Sequence, residues 1–155
     1  AQCYYYGRQI STKFTSGEIA GNIATGSRNS TPMGGGVYLE YGRFTMEGGL
    51  IHGNTANMES KGKGGGVYVA TDRSFKTYFS MKGGEISGNT APEGAGIYSE
   101  TFGDNNSGEM GITLSGNVLI QGNTGRKGAG ICIEYGNLSM SGRVQIGQAN
   151  EDNAL

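Results

Sequence analysis

The stretch GGGVYLEYGRFTMEGGLIHGNTA, Gly34 to Ala56, decides the reading of the chain, because it returns as GGGVYVATDRSFKTYFSMKGGEISGNTA from Gly64 to Ala91. A third copy, GAGIYSETFGDNNSGEMGITLSGNVLIQGNT, spans Gly94 to Thr124, and a fourth, GAGICIEYGNLSMSGRVQIG, spans Gly128 to Gly147. KFTSGEIAGNIA, Lys13 to Ala24, is a degenerate first copy. The Gly-x-Gly marks at Gly34, Gly64, Gly94 and Gly128 are spaced 30, 30 and 34 residues apart. A fixed period of this length signals a stacked array of structural units, each too small to bury its apolar face alone.

Within each copy the apolar residues alternate with period two. Phe44-Thr45-Met46, Phe79-Ser80-Met81, Ile112-Thr113-Leu114 and Leu138-Ser139-Met140 read apolar, hydroxyl, apolar. Val37-Tyr38-Leu39, Val67-Tyr68-Val69 and Ile131-Cys132-Ile133 alternate around a different middle residue. Short alternating runs bounded by glycine predict strands with one buried face, and no segment carries a capped helical period. Each unit is expected to hold three short strands, the third around Ile19, Ile51, Ile86, Ile120 and Ile146. The fold predicted is all-β: a right-handed single-stranded parallel β-helix, or solenoid, of about five coils of roughly 30 residues. The coils run approximately 1–33, 34–63, 64–93, 94–127 and 128–155, in a single domain.

Parallel pairing of successive coils at a rise of about 4.8 Å places like residues on like. Asn22, Asn54, Asn89 and Asn123, each preceded by glycine, are expected to form a structural ladder at one corner, where Asn and Gly tolerate positive φ. Asp72 to Lys76 and Gly103 to Glu109 read as loop insertions between the first and second strands.

Composition narrows the function classes. Glycine accounts for 31 of the 155 residues, and its strict spacing beside apolar residues sets the chain apart from low-complexity sequence. A net charge of −1 and 16% charged residues give no basis for a nucleic-acid or anionic-membrane partner. No apolar run is long enough to span a bilayer. The opening Ala1-Gln2, with no signal peptide ahead of it, suits a processed, secreted chain or a trimmed one.

The phrases GGEISGNTA and GGGVYV resemble the repeats of right-handed parallel β-helix proteins on bacterial surfaces, over about residues 13 to 147. GGLI and GGEI bear a looser likeness to the GG-apolar repeats of polymorphic outer-membrane adhesins. The resemblance implies an extracellular, cell-surface location and a structural or adhesive role. It brings no catalytic motif and no cofactor.

Several columns invite chemistry. Glu40, Glu100 and Glu134 share one position, interrupted by Ala70, so they read either as mutually repelling carboxylates with a raised pKa or as a solvated charged face. A polysaccharide hydrolase would need carboxylates set about 6.5–9.5 Å apart in a cleft. Asp72, Asp104 and Asp152 fall instead in loops or the tail, and the reading is therefore of no enzyme. His52 alternates with an inward Ile and reads as a lone surface histidine. No calcium-loop spacing or repeated acidic loop supports a metal.

Tyr38, Tyr68 and Tyr98 form the most specific predicted outward feature, an aromatic column that would either grip the sugar rings of a glycan or simply brace the sheet by cross-strand packing. The hydroxyl file Thr45, Ser80, Thr113 and Ser139 invites an ice-binding reading, for which a single file is too narrow.

The termini bear on partners. Ala1 to Gly7 look like the start of a first strand and Gly147 to Leu155 like the corner preceding one, so the chain reads as uncapped and cut at matching phase. Uncapped coils stacked head to tail do not close and build a filament. If Tyr6-Gly7 aligns with Tyr41-Gly42, Cys3 takes the column position that Cys132 takes in the last coil. Within one chain the two thiols would stand about 19 Å apart, whereas between stacked copies they would be one rise apart, within disulfide reach. The expected partner is another copy of the chain, stapled by Cys3–Cys132, against the alternatives of two unpaired cysteines or truncation from a longer repeat protein; a glycan held by the tyrosines is the second candidate.

Overall fold

The computed structural model describes residues 10–26, 30–57, 61–72, 75–102 and 109–147. They form only strands, turns and connecting loops, and among them no helix is long and apolar enough to cross a membrane. In chain order the strands are β1 (Ile10–Phe14), β2 (Glu18–Ala20), β3 (Ile23–Ala24), β4 (Val37–Glu40), β5 (Gly42–Met46), β6 (Leu50–His52) and β7 (Thr55–Ala56). Then follow β8 (Val67–Thr71), β9 (Lys76–Ser87), β10 (Ile97–Thr101), β11 (Glu109–Gln121), β12 (Ile131–Ile133), β13 (Asn137–Met140) and β14 (Arg143–Ile146).

Every strand pairing is parallel and joins one repeat to the next, which makes the chain a β-solenoid of about three turns. One sheet stacks β4, β8, β10 and β12; a larger one stacks β1, β5, β9, β11 and β13, with β2, β6 and β14 continuing the third-strand side. The registers superpose the repeated residues. Ile19 pairs with Ile51, Ile51 with Ile86, Ile86 with Ile120 and Ile120 with Ile146. Thr45, Ser80, Thr113 and Ser139 align in the same way, with Lys13 in the first layer.

Two departures from three separate strands per coil appear. In the coils 64–93 and 94–127 the second and third strands run together as β9 and β11. The 94–127 coil also has one more residue between Leu114 and Ile120 than the 64–93 coil has between Met81 and Ile86. A register shift between Leu114 and Asn117 absorbs it, so that the isoleucines still meet. A small further sheet pairs β3 with β7.

The interior is a single apolar cluster in which Phe44, Met46, Ile51, Phe79, Met81, Ile86, Ile112, Leu114 and Ile120 are buried. Burial of such side chains contributes roughly 1.5–3 kcal/mol each against an exposed reference. The cross-section of the coil is narrow, which explains the glycines before the first strand. A Cβ on Gly66 would lie 2.7 Å from the Gly96 carbonyl oxygen and 3.0 Å from Asn89 Nδ2. Only hydrogen fits there. Gly111, by contrast, faces the movable ring of Tyr78 at 3.3 Å.

Gly66→Ala is expected to lower unfolding free energy by about 2 kcal/mol or more, and Gly111→Ala to change it by about 0.5 kcal/mol or less. Equilibrium denaturation of the two variants checks this, and an unchanged midpoint for Gly66→Ala would contradict the packing argument.

Candidate functional site

Three groups of repeated polar or aromatic side chains stand apart from the apolar columns: the asparagine corner, the tyrosine column, and the charged residues around that column. At the corner, glycines 21, 53, 88 and 122 take positive φ, between 58° and 64°. The asparagines that follow do not, so the expectation of positive φ at both residues holds for glycine alone. The turn frees each Asn side chain to point along the stack.

Asn54 Oδ1 accepts from the Asn22 backbone N–H at 3.0 Å and from Asn22 Nδ2 at 2.9 Å. Asn89 Oδ1 accepts the equivalent pair from Asn54, and Asn123 Oδ1 from Asn89, all at 3.0 Å. The remaining amide hydrogens go backward: Asn54 donates to the Ile19 carbonyl, Asn89 to Ile51 and Asn123 to Ile86, at 2.8–3.0 Å. Asn54 and Asn89 are fully buried with every amide group engaged. The ladder is structural, as read from the sequence.

Tyr38, Tyr68 and Tyr98 also stack as expected. Their rings lie 5.1 and 5.9 Å apart, with interplanar angles of 21° and 6°. Cys132 follows in the same register. The column is not an open platform, however. Tyr68 and Tyr98 have 0% exposure, and they belong to a second apolar cluster with Ala70 and Cys132, flanked by Met33 and Phe102.

The reason lies at the preceding corner. Gly64 and Gly94 turn with positive φ so tightly against the column that an added Cβ would lie 2.8 Å from Tyr68 Cβ and 2.6 Å from Tyr98 Cβ. The residue before each corner glycine is thereby laid alongside the column. Met33, Lys63, Glu93 and Lys127 form a file of their own, joined by parallel bridges. This alternating Lys-Glu-Lys file was missed at the sequence level. Its signal is a charged residue five positions before each of Tyr68, Tyr98 and Cys132.

The glutamates complete the cover. Glu100 accepts from Lys63 Nζ at 2.7 Å and from the Tyr68 hydroxyl. Lys63 also stands 4.8 Å above the Tyr98 ring. Lys127 donates to Glu134 at 2.6 Å and lies 3.9 Å from Glu93. Tyr38 bonds Glu40 of its own layer at 2.9 Å, because the next layer has Ala70 where an acceptor would be.

The carboxylate column is thus neither a set of repelling acids nor a freely solvated face. Hydrogen bonding from Lys127 holds the Glu134 carboxyl below its usual range. Burial, then Glu100, pushes the Tyr68 phenol far up; burial, then Glu134, does the same to Tyr98. The Tyr98 hydroxyl is close enough to Glu134 to feel its charge, yet makes no hydrogen bond of good geometry.

The other expected site residues are placed as follows. His52 faces outward, but Glu18 Oε2 lies 3.3 Å from its Nε2, so it has a carboxylate neighbour that the sequence reading did not foresee. Cys132 is free and 8% exposed, and burial raises its thiol pKa. Cys3, Asp104 and Asp152 lie outside the described residues. Asp72 accepts from the Tyr41 hydroxyl at 2.9 Å, and Phe75 packs 4.5 Å from the Tyr41 ring, so the first insertion folds back onto the preceding coil. A hollow of about 360 Å³ between Ile10, Ile19, Val37, Leu39 and Phe44 is walled by the core columns at the first-layer end of the described residues. Among the described residues no three His, Cys, Asp or Glu side chains gather as metal ligands.

No family model, curated protein or solved structure matches this chain. Its own columns therefore carry the functional argument.

Two pairs of variants test this account. Asn89→Ala leaves several buried donors and acceptors unpaired and is expected to cost about 3 kcal/mol or more, against about 1 kcal/mol or less for Asn22→Ala at the exposed end. Tyr68→Phe removes a donor from the half-buried Glu100 carboxylate and is expected to cost about 1.5 kcal/mol. Tyr98→Phe removes an unpaired hydroxyl and should stay within about 0.5 kcal/mol of the parent. Denaturant titration measures all four, and equal costs within either pair would refute the assigned bonds.

Proposed function

We propose that this chain is a structural, adhesive-type β-solenoid of an extracellular surface, a subunit of a fibre formed by head-to-tail stacking. In this reading it is a right-handed, single-stranded helix of about five coils, and it is not an enzyme. The observation that carries the proposal is that the interior columns run through every layer of the described residues, from Phe14 to Met140 and from Ile19 to Ile146. Among the described residues β1 and β2 pair on one side only, and so do β13 and β14. A strand with an unpaired edge is a template for another strand of matching pattern.

The polar repeats support the same reading. The asparagines, tyrosines and glutamates that recur in the sequence are engaged with one another or with lysines, so they serve the scaffold. The buried tyrosines argue against the glycan platform at that face. Cys132 lies on β12, the outermost strand of its sheet, and the staple to Cys3 of a second copy remains part of the proposal.

The purified chain is expected to form concentration-dependent filaments visible by electron microscopy, with a fibre-diffraction repeat of about 4.8 Å. Met140→Lys, at a position 48% exposed and so tolerant of change in the monomer, should shorten or abolish them. A monomer by sedimentation at every concentration would overturn the proposal.

A further inference from the structure

The two large apolar side chains most exposed among the described residues stand at opposite ends of the stack: Ile23 at 69% on β3 and Met140 at 48% on β13. Met140 ends the column that Phe14 begins, and along that column Phe14 already stacks on Met46, Met46 on Met81 and Leu114 on Met140. A phenylalanine laid on a methionine is therefore a contact this interior already makes. Ile146 likewise ends a column of five isoleucines that Ile19 begins.

The outward positions match in charge. Glu18 begins the file that Gln145 ends, and Arg143 stands two residues before Gln145, on the same side of β14. A second copy's Glu18 laid over Gln145 would thus lie diagonal to Arg143, within reach of its long side chain. Lys13 begins the file that Ser139 ends, and on that side β13 offers Asn137 and Ser139, so no cation opposes it.

We propose that a second copy of this chain docks the β1–β2 edge on the β13–β14 edge, in parallel, in the register that sets Phe14 over Met140 and, across a one-residue bulge like the one that joins β9 to β11, Ile19 over Ile146 and Glu18 beside Arg143. This rests on the fibre reading and adds to it the polarity and register of the joint. A slip of one residue would put Lys13 over an interior position and turn Phe14 outward, so the alternation itself selects the register.

Cross-linking tests the joint. In a Cys3→Ser, Cys132→Ser background, one protein carries Lys13→Cys and a second carries Ser139→Cys; they are mixed with oxidised glutathione and run without reductant. In the proposed register these positions are one rise apart, about 4.8 Å, within the usual disulfide Cα range. A mixed dimer is expected from this pair, and little from Lys13→Cys with Ser141→Cys. Equal yields from both pairs, a Lys13→Cys homodimer as the main product, or no cross-link while sedimentation still shows multimers would overturn the register and leave the fibre reading standing. Monomers alone in sedimentation would remove both.

A second measurement uses the native cysteines. Glu18→Arg should weaken association by about two- to fivefold, and adding Arg143→Glu should restore it. Weakening without restoration counts against the pairing.

Discussion

The buried amide ladder at the Gly-Asn corner is the constraint on which the rest of the stack depends. An asparagine in the interior is costly unless both of its hydrogens and its oxygen are used. Here they can be used only if the next coil presents its own asparagine at the same height and the previous coil presents an isoleucine carbonyl. A coil that slipped by one residue would leave several buried groups unpaired at once. The ladder therefore locks the phase of successive turns, and the isoleucine and phenylalanine–methionine columns follow from that phase. The one-residue difference in the 94–127 coil shows the hierarchy: the strand buckles between Leu114 and Asn117, and the corner keeps its register.

A second layer of order lies outside the coil interior. The tight turns at Gly64 and Gly94 lay Lys63 and Glu93 against the outer face of the first-strand sheet, and Phe102 packs over Tyr68. What leaves the core as an aromatic file becomes a small second core with a charged rim. Tyr68, Lys63 and Glu100 form one connected group across neighbouring coils, and Tyr98, Lys127 and Glu134 form a looser version one layer up. This stiffens the one face that the sequence made look most available to a ligand.

The parts of the candidate site that were legible are those whose partners sit one period away. Asn54 to Asn89 and Tyr38 to Tyr68 could be paired by aligning the repeats, because in a parallel solenoid the residue one period on is the residue in contact. The misjudged parts depend on a different geometry. Whether Tyr68 is covered depends on the path of the chain before Gly64 and on Phe102 at the mouth of an insertion, and neither follows from the alternation of strand residues. His52 was read as solitary because Glu18 occupies another file and reaches it diagonally.

The sequence by itself determined the strand content, the parallel stacking and the identity of each interior column, because the period fixes which residues meet and alternation fixes which of them face inward. Only the tertiary structure decided what lies over the outer faces. Those contacts arise where corners and insertions break the period, so the burial of the tyrosines and the pairing of the glutamates with Lys63 and Lys127 come from the route of the backbone in space, which no repeat encodes.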